Sequence, residues 1–234
     1  MTSAFRDPTY PRRVHVRDLL WFVGAFALSA AVGFGASFAA GTVLEPEVFV
    51  GYFLPVMAVL TSAGMWLAAR RRGWTWRDLG LVRGRRSPWN LLWQVPLGWL
   101  AAVIPAAAVV GALDMGPAST QSEAIATAAT RVRPASVVLT LLAVAVVFPL
   151  LEEILFRRIL LGWIEGRAGW VVGIIGSAIC FGLAHVVPAA MIVVGAIGLV
   201  TAILVRWNRS LWASVALHAA NNLMIMLVLL AGLR

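Results

Sequence analysis

Long apolar runs, separated by short polar stretches, constrain the fold of this chain more than any other feature. Seven runs can be distinguished, at about residues 19–41, 48–69, 89–113, 134–166, 169–187, 188–205 and 211–233. A helix needs about 20 apolar residues to cross the hydrocarbon core of a bilayer. Because backbone groups in lipid must be hydrogen-bonded within their own segment, such runs cross as α-helices. The sequence therefore predicts an all-α polytopic membrane protein with about seven transmembrane helices, or eight.

The composition agrees with a membrane protein. The 234 residues are 61% hydrophobic and only 12% charged, whereas about a quarter of a soluble domain is charged. The net charge of +9 arises from arginine, without any lysine. Such basicity can indicate nucleic-acid binding, but here the arginines lie between the apolar runs, where they set membrane topology. We therefore predict the lipid bilayer as a partner and no nucleic acid; the oligomeric state stays undetermined.

Arginine placement predicts the orientation of the chain. The stretch 70–88 contains seven arginines. With seven crossings, a cytosolic N-terminus places sixteen of the nineteen arginines on the inner side, as the positive-inside rule requires. All-arginine basicity with abundant alanine, glycine and valine favours a GC-rich bacterial genome. We predict a multi-pass protein of the cell membrane, in a bacterium the inner membrane, with its N-terminus in the cytosol.

Charged residues inside the fourth run are its most unusual feature. Glu152, Glu153 and Arg157 follow a stretch from Val137 to Leu151 that contains no charge. Charge within an apolar segment is costly. On a helix, Glu153 and Arg157 are four residues apart and can pair, whereas Glu152 points about 100° away. The alternative is that a helix leaves the membrane here and water solvates the charges.

Two histidines and an asparagine are the other polar candidates in apolar runs. His185 follows Phe181 by four residues, and His218 precedes Asn222 by four. A lone membrane histidine is more often a packed, hydrogen-bonded residue than a catalyst, but buried polar groups of this kind usually face each other or a wet cavity. Glu152 and His185 reach similar depths only if the fourth helix continues past Arg157 to about residue 166. We therefore predict a long fourth helix.

This set of residues suits hydrolysis of an acyl bond, best a peptide bond. A glutamate beside histidines can deprotonate water, and a histidine and an amide can donate hydrogen bonds to an oxyanion. The set contains no activated serine or cysteine, and the motif His-Glu-x-x-His is absent. Glu152, His185 and His218 could also hold one divalent metal ion, with zinc the favoured ion. The residues leave both mechanisms open, and we favour the one without a cofactor.

Three ordered motifs resemble those of a known family. They are Glu152-Glu153-x-x-x-Arg157, Phe181-x-x-x-His185 and His218-x-x-x-Asn222. The motifs resemble those of the CPBP intramembrane proteases, also called the Abi or CAAX-protease family, which includes the CAAX prenyl endopeptidases. The resemblance covers roughly residues 135–223. This chain departs from the family at Arg158, where a glycine is usual.

The resemblance implies an intramembrane endopeptidase that acts on a membrane-associated protein or peptide. It implies helices around a polar cavity, in which Glu152 with His185 activates water, His218 and Asn222 bind the oxyanion, and Glu153, Arg157 and Phe181 support the site. The family also includes proteins tied to bacteriocin immunity, so it names no substrate. The alternatives are a non-enzymatic membrane scaffold or immunity-type protein, and a proton-coupled transporter, since buried glutamate and histidine also form proton relays.

The resemblance also divides the single membrane domain into three parts. Residues 1–18 form a predicted cytosolic basic tail. Residues 19–130 contain the N-terminal transmembrane segments, which match the family only as apolar runs. Residues 131–234 form the predicted catalytic core.

Overall fold

The computed structural model describes residues 10, 12–40, 46–116 and 134–232. This part of the chain contains helices and no strand, as the apolar runs predict. The α-helices are α1 (Val16–Ala40), α2 (Pro46–Arg71), α3 (Leu91–Ala112), α4 (Pro134–Leu142), α5 (Phe148–Glu153), α6 (Leu161–Leu183), α7 (Pro188–Asn208) and α8 (Trp212–Gly232). Two π-helical segments, π1 (Ala143–Val147) and π2 (Ile154–Leu160), lie on either side of α5.

Six stretches of the described residues are long and apolar enough to cross a membrane. They are Val16–Gly33, Phe53–Arg71, Pro88–Ala112, Ser136–Leu183, Pro188–Asn208 and Trp212–Gly232. These six stretches are slightly fewer than the seven or eight predicted transmembrane helices. The difference arises because Ser136–Leu183, 48 residues long, contains both the fourth and the fifth predicted run.

The long fourth helix continues past Arg157 through π2 into α6. It is interrupted at Gly169, whose φ of 85° and ψ of 168° are not helical. Positive φ is readily available only to glycine, so this residue permits the kink. A continuous helix of 48 residues would be about 72 Å long, more than twice the thickness of a hydrocarbon core. The kink therefore separates the two predicted crossings.

The chain forms two compact units, and the first contains most of the residues that the motifs single out. It holds the described residues of Met1–Leu19, Trp74–Ala118 and Glu152–His218. In this unit α7 packs against both α6 and α3. Its apolar core is formed by Ala102, Ile197, Leu204, Ala213 and Leu217. Burial of these residues stabilises the elements that position the site.

Described residues of the predicted tail are packed in this first unit. Tyr10, Val14 and Asp18 are buried. The indole nitrogen of Trp74 donates a hydrogen bond of 3.1 Å to the Asp18 carboxylate. Residues 1–9 and 11 of the tail, and residues 117–133 of the polar stretch before the fourth run, lie outside the described residues.

The second unit holds the described residues of Leu20–Gly73, Ser119–Leu151 and Ala219–Arg234. Here α2 packs against α4 and π1. Ser29 of α1 donates hydrogen bonds to the carbonyl oxygens of Ala25 and, at 3.4 Å, Leu60 of α2. The Ser29 hydroxyl thus connects α1 and α2, as expected for helices that pack in lipid.

A close backbone approach between α6 and α7 leads to a first prediction. A Cβ atom added to Gly182 would lie 2.6 Å from the Met191 carbonyl oxygen, whereas one added to Gly195 would have no neighbour closer than 3.8 Å. We expect Gly182→Ala to destabilise the protein by about 1–3 kcal/mol, because the helices must separate. Thermal unfolding of the purified protein measures this, with Gly195→Ala as the matched control. Equal melting temperatures of the two variants would contradict the close approach.

Candidate active site

Glu153 is the buried centre of the candidate site. Its side chain is 0% exposed, and its Oε2 lies 3.2 Å from Nε of Arg157. Its Oε1 lies 3.0 Å from Nδ1 of His218. An ionised carboxylate can only accept hydrogen bonds, so Nδ1 of His218 carries the proton and donates it. Glu153 therefore orients the imidazole of α8 from the end of α5, and it pairs with Arg157 as the spacing predicts.

Arg157 is held on three sides in the first unit. Its Nε donates a hydrogen bond of 2.8 Å to Oγ1 of Thr201, and Thr201 in turn donates to the Gly198 carbonyl oxygen. Its guanidinium carbon lies 4.3 Å from the centroid of the Phe181 ring. A cation over a desolvated aromatic face gains about 2 kcal/mol. The carboxylate, the hydroxyl and the ring compensate part of the cost of burying this charge, and Nη1 and Nη2 of Arg157 have no hydrogen-bond partner among the described residues.

Glu152 is in a different environment from its neighbour. Its side chain is 20% exposed, and its Oε2 lies 3.7 Å from Nε2 of His218. His218 thus lies between two carboxylates, with Nδ1 bonded to the sealed Glu153 and Nε2 directed toward the accessible Glu152. A water molecule could reach Glu152, whereas the fully buried Glu153 is suited to holding the histidine in place.

Phe181 separates and supports the two histidines. Its ring packs edge-on against His185, with ring centroids 5.1 Å apart, and against His218, with centroids 5.4 Å apart. Nδ1 of His185 lies 3.0 Å from the carbonyl oxygen of Phe181 and donates to it, which leaves a lone pair on Nε2. The contact that the structure gives Glu152 is with His218. The pairing of Glu152 with His185 stays a prediction.

Asn222 lies one turn beyond His218 along α8. Its amide nitrogen donates a hydrogen bond of 3.0 Å to the Val144 carbonyl oxygen, and its side-chain oxygen accepts one of 3.1 Å from Asn221. An amide group has two N–H donors, so the bond to Val144 uses only one of them. The oxyanion-binding role of Asn222 stays a prediction.

The suggested metal ligands are not assembled as a site. Within the described ranges, no three side chains of His, Cys, Asp or Glu form a group that could hold a metal ion. Glu152 and His218 are neighbours, but His185 does not join them as a third ligand. The mechanism proposed below therefore has no step through a metal ion.

Thr201 is a polar residue of the site that sequence patterns did not single out. Its hydroxyl accepts a hydrogen bond from Nε of Arg157. A signal for Thr201 does exist, because it is the only hydroxyl-bearing side chain between Pro188 and Val205. A hydroxyl group that is hydrogen-bonded costs little free energy to bury. A threonine in an apolar helix is therefore less conspicuous in a sequence than a charged residue.

Removal of the Thr201 hydroxyl provides a second prediction. Thr201→Val keeps the shape but leaves Nε of the buried Arg157 with one acceptor fewer, so we expect a loss of about 1–3 kcal/mol in unfolding free energy. Thr140→Val is the matched control, because Thr140 is also buried and its hydroxyl has no hydrogen-bond partner among the described residues. Denaturant unfolding measures both variants, and Thr201→Ser should restore stability. A Thr201→Val variant as stable as the control would show that the hydroxyl does not hold Arg157.

A comparison with known protein families agrees with the three sequence motifs. Residues 134–224 match the family model described as Rce1-like, type II CAAX prenyl endopeptidase Rce1-like. No curated protein and no solved structure matches the chain. The matched range contains all three motifs. The resemblance of this membrane protein to the CAAX-protease family is therefore confirmed over residues 134–224.

Proposed function

We propose that this chain is an intramembrane endopeptidase that hydrolyses a peptide bond with water activated by Glu152. The observation that supports this most is the asymmetry of the glutamate pair. Glu152 is partly exposed to solvent and faces Nε2 of His218. Glu153 is fully buried and is hydrogen-bonded to Nδ1 of the same ring. A positioned base with an oriented histidine is the arrangement that general acid–base hydrolysis requires.

The proposed reaction starts with a water molecule bound beside Glu152 and His218. Glu152 takes a proton as the water oxygen forms a bond to the carbonyl carbon of the substrate. The tetrahedral intermediate then breaks its bond to nitrogen, and the proton passes to the leaving amine. Nε2 of His218 carries a lone pair in the neutral ring, because Nδ1 holds the proton. His218 can therefore receive the proton from Glu152 and deliver it to the amine.

The hydrogen-bond donor that stabilises the oxyanion has to be a group other than the two neutral histidines. His185 and His218 each donate their Nδ1 proton to a protein oxygen, so neither neutral ring has a second N–H to offer. The Asn222 amide retains one hydrogen besides that bonded to Val144. We propose Asn222 as the first oxyanion donor, with His218 able to join it only after it has taken up a proton.

The substrate class follows from the setting of the site. Glu152 and His218 lie in apolar helices that can cross a membrane, so we propose a protein or peptide associated with the bilayer. The matched family is named for prenyl endopeptidases. The composition that favours a bacterial source argues against a prenylated substrate, and we propose the broader class.

Substrate identification and the test of activity can be combined. Membranes of cells that produce the wild-type protein and of cells that produce Glu152→Gln are compared by mass spectrometry of protein termini. We expect new termini with the wild type alone, followed by cleavage of the same peptide by purified protein in lipid nanodiscs. Identical termini in both membranes would favour the scaffold alternative. A parallel assay with a chelator should leave cleavage intact, whereas loss that zinc restores would require a metal mechanism.

A further inference from the structure

The first unit contains a second concave feature that is lined by none of the proposed catalytic residues. It is a cleft of about 630 Å³ between the segment that precedes α1, the end of π2 with the first part of α6, and the end of α7. Five arginines line it, and among the described residues Glu165 is the only acidic side chain that does so. The arginines are Arg12, Arg13, Arg158, Arg167 and Arg206. This basic cleft is large enough for a small charged group.

The basic cleft has more arginine side chains in its lining than carboxylates that could neutralise them. Arg206 pairs with Glu165, and Arg12 pairs with Asp78, which does not line the cleft. Arg158 instead donates to the carbonyl oxygens of Asp78 and Arg12. Arg167 donates to the Trp163 carbonyl oxygen. Carbonyl oxygens are neutral, so these bonds position the guanidinium groups but leave their charge in the cleft.

Arg158 gives the basic cleft a rigid wall. Its side chain is 1% exposed, and its guanidinium carbon lies 4.4 Å from the Tyr10 ring centroid and 4.6 Å from that of Trp74. A planar guanidinium stacked between two rings and bonded to two carbonyl groups can hardly rotate.

Two titratable residues in contact with Arg158 each keep one charge state at neutral pH. Burial alone would raise the pKa of Asp78, but hydrogen bonds from Thr75 and the guanidinium of Arg12 lower it below its usual value. Asp78 therefore stays ionised and retains Arg12. Burial raises the pKa of Tyr10 above its usual value. The Tyr10 hydroxyl has no hydrogen-bond partner among the described residues, and it stays a proton donor at neutral pH.

We propose that the basic cleft binds the phosphate group of an anionic phospholipid. The arginine fork matches the geometry of phosphate oxygens. Arg206 lies in the last turn of α7, at one end of a stretch that can cross a membrane, and Trp170 also lines the cleft. Arginine and tryptophan at the ends of such stretches lie at the level of lipid headgroups. The cleft therefore lies at the level expected for headgroup phosphates.

Binding of short-chain lipids to the full-length purified protein tests this proposal without any protease assay. Isothermal titration measures dioctanoyl phosphatidylglycerol, dioctanoyl phosphatidylcholine and inorganic phosphate. The test variant is Arg13→Gln with Arg167→Gln, since both side chains are exposed at the cleft. Its matched control is Arg71→Gln with Arg77→Gln, which removes two exposed arginines that do not line the cleft.

We expect phosphatidylglycerol to bind about 10- to 30-fold more weakly to the test variant and within about 2-fold of wild type to the control. Melting temperatures should be equal in the two double variants. Equal weakening by both would attribute binding to diffuse surface charge and overturn the proposal. Equal affinity for phosphatidylcholine would also overturn it. Strong binding of inorganic phosphate that displaces phosphatidylglycerol would reassign the cleft to free phosphate.

Discussion

Replacement of Glu152 by glutamine is expected to slow peptide cleavage by about 10²–10⁴-fold and to leave the protein folded. The amide keeps the shape of the side chain but cannot take a proton from water. Little stability should be lost, because the side chain is partly exposed and lies 3.7 Å from His218. Initial rates in nanodiscs and a thermal melt of the same preparation measure the two effects separately.

Glu153→Gln is the matched control for Glu152→Gln, because it makes the same chemical change one residue away. It removes the charge that compensates the fully buried Arg157, so its main effect should be on stability. We expect a lower melting temperature for Glu153→Gln and a lower rate at unchanged melting temperature for Glu152→Gln. Undiminished cleavage by Glu152→Gln would exclude Glu152 as the base and remove the basis of the proposed mechanism.

Arg157→Ala is expected to cost about 3–5 kcal/mol of stability, the largest effect on folding that we predict. The substitution leaves the Glu153 carboxylate buried with no cation beside it, and it removes the guanidinium that packs against Phe181. The measurements are the yield of folded protein and the free energy of unfolding in denaturant. An unchanged unfolding free energy would show that the buried pair contributes no net stability.

A double variant separates loss of the ion pair from loss of packing. Glu153→Leu with Arg157→Met replaces both charges by apolar groups of similar length, and such exchanges are often neutral or stabilising. We expect the double variant to be more stable than Arg157→Ala. We also expect it to be inactive, because the Nδ1–H group of His218 would lose the carboxylate that accepts its hydrogen bond. If both variants are equally unstable, the cost lies in the volume of the guanidinium and not in the unpaired charge.

Local features of the site could be predicted from the sequence, and long-range ones could not. Glu153 and Arg157 are four residues apart on one helix, so their pairing follows from helical geometry. The bond between Glu153 and His218 joins residues 65 positions apart, and it depends on the packing of separate helices. The motifs indicated which residues converge. The resemblance paired Glu152 with His185, whereas the contact that the structure gives Glu152 is with His218.

The long fourth helix shows a similar division. The need for Glu152 and His185 to reach one depth predicts continuation past Arg157, and the structure has it. The two π-helical segments around α5 were not predicted, because the π-helix is rare and occurs mostly as a short bulge within an α-helix. Burial of part of the N-terminal tail was likewise not predicted. Tyr10 and Val14 are close in sequence to several arginines, which usually lie in solvent.

Arg157 and Arg158 are adjacent in π2 but lie in different environments, so a shift in the register of this helix would change which residue occupies each environment. Arg157 faces Glu153 and α7, whereas Arg158 faces the tail and the 74–80 segment. A single-residue deletion in π2 would convert it to an α-helix and turn the downstream residues by about 100°. A slip by one position would still place an arginine four positions after Glu153, but Ile159 would then occupy the wall of the basic cleft. A change of one residue in length would thus remove an arginine from the proposed headgroup site and leave one at the position of the proposed catalytic site.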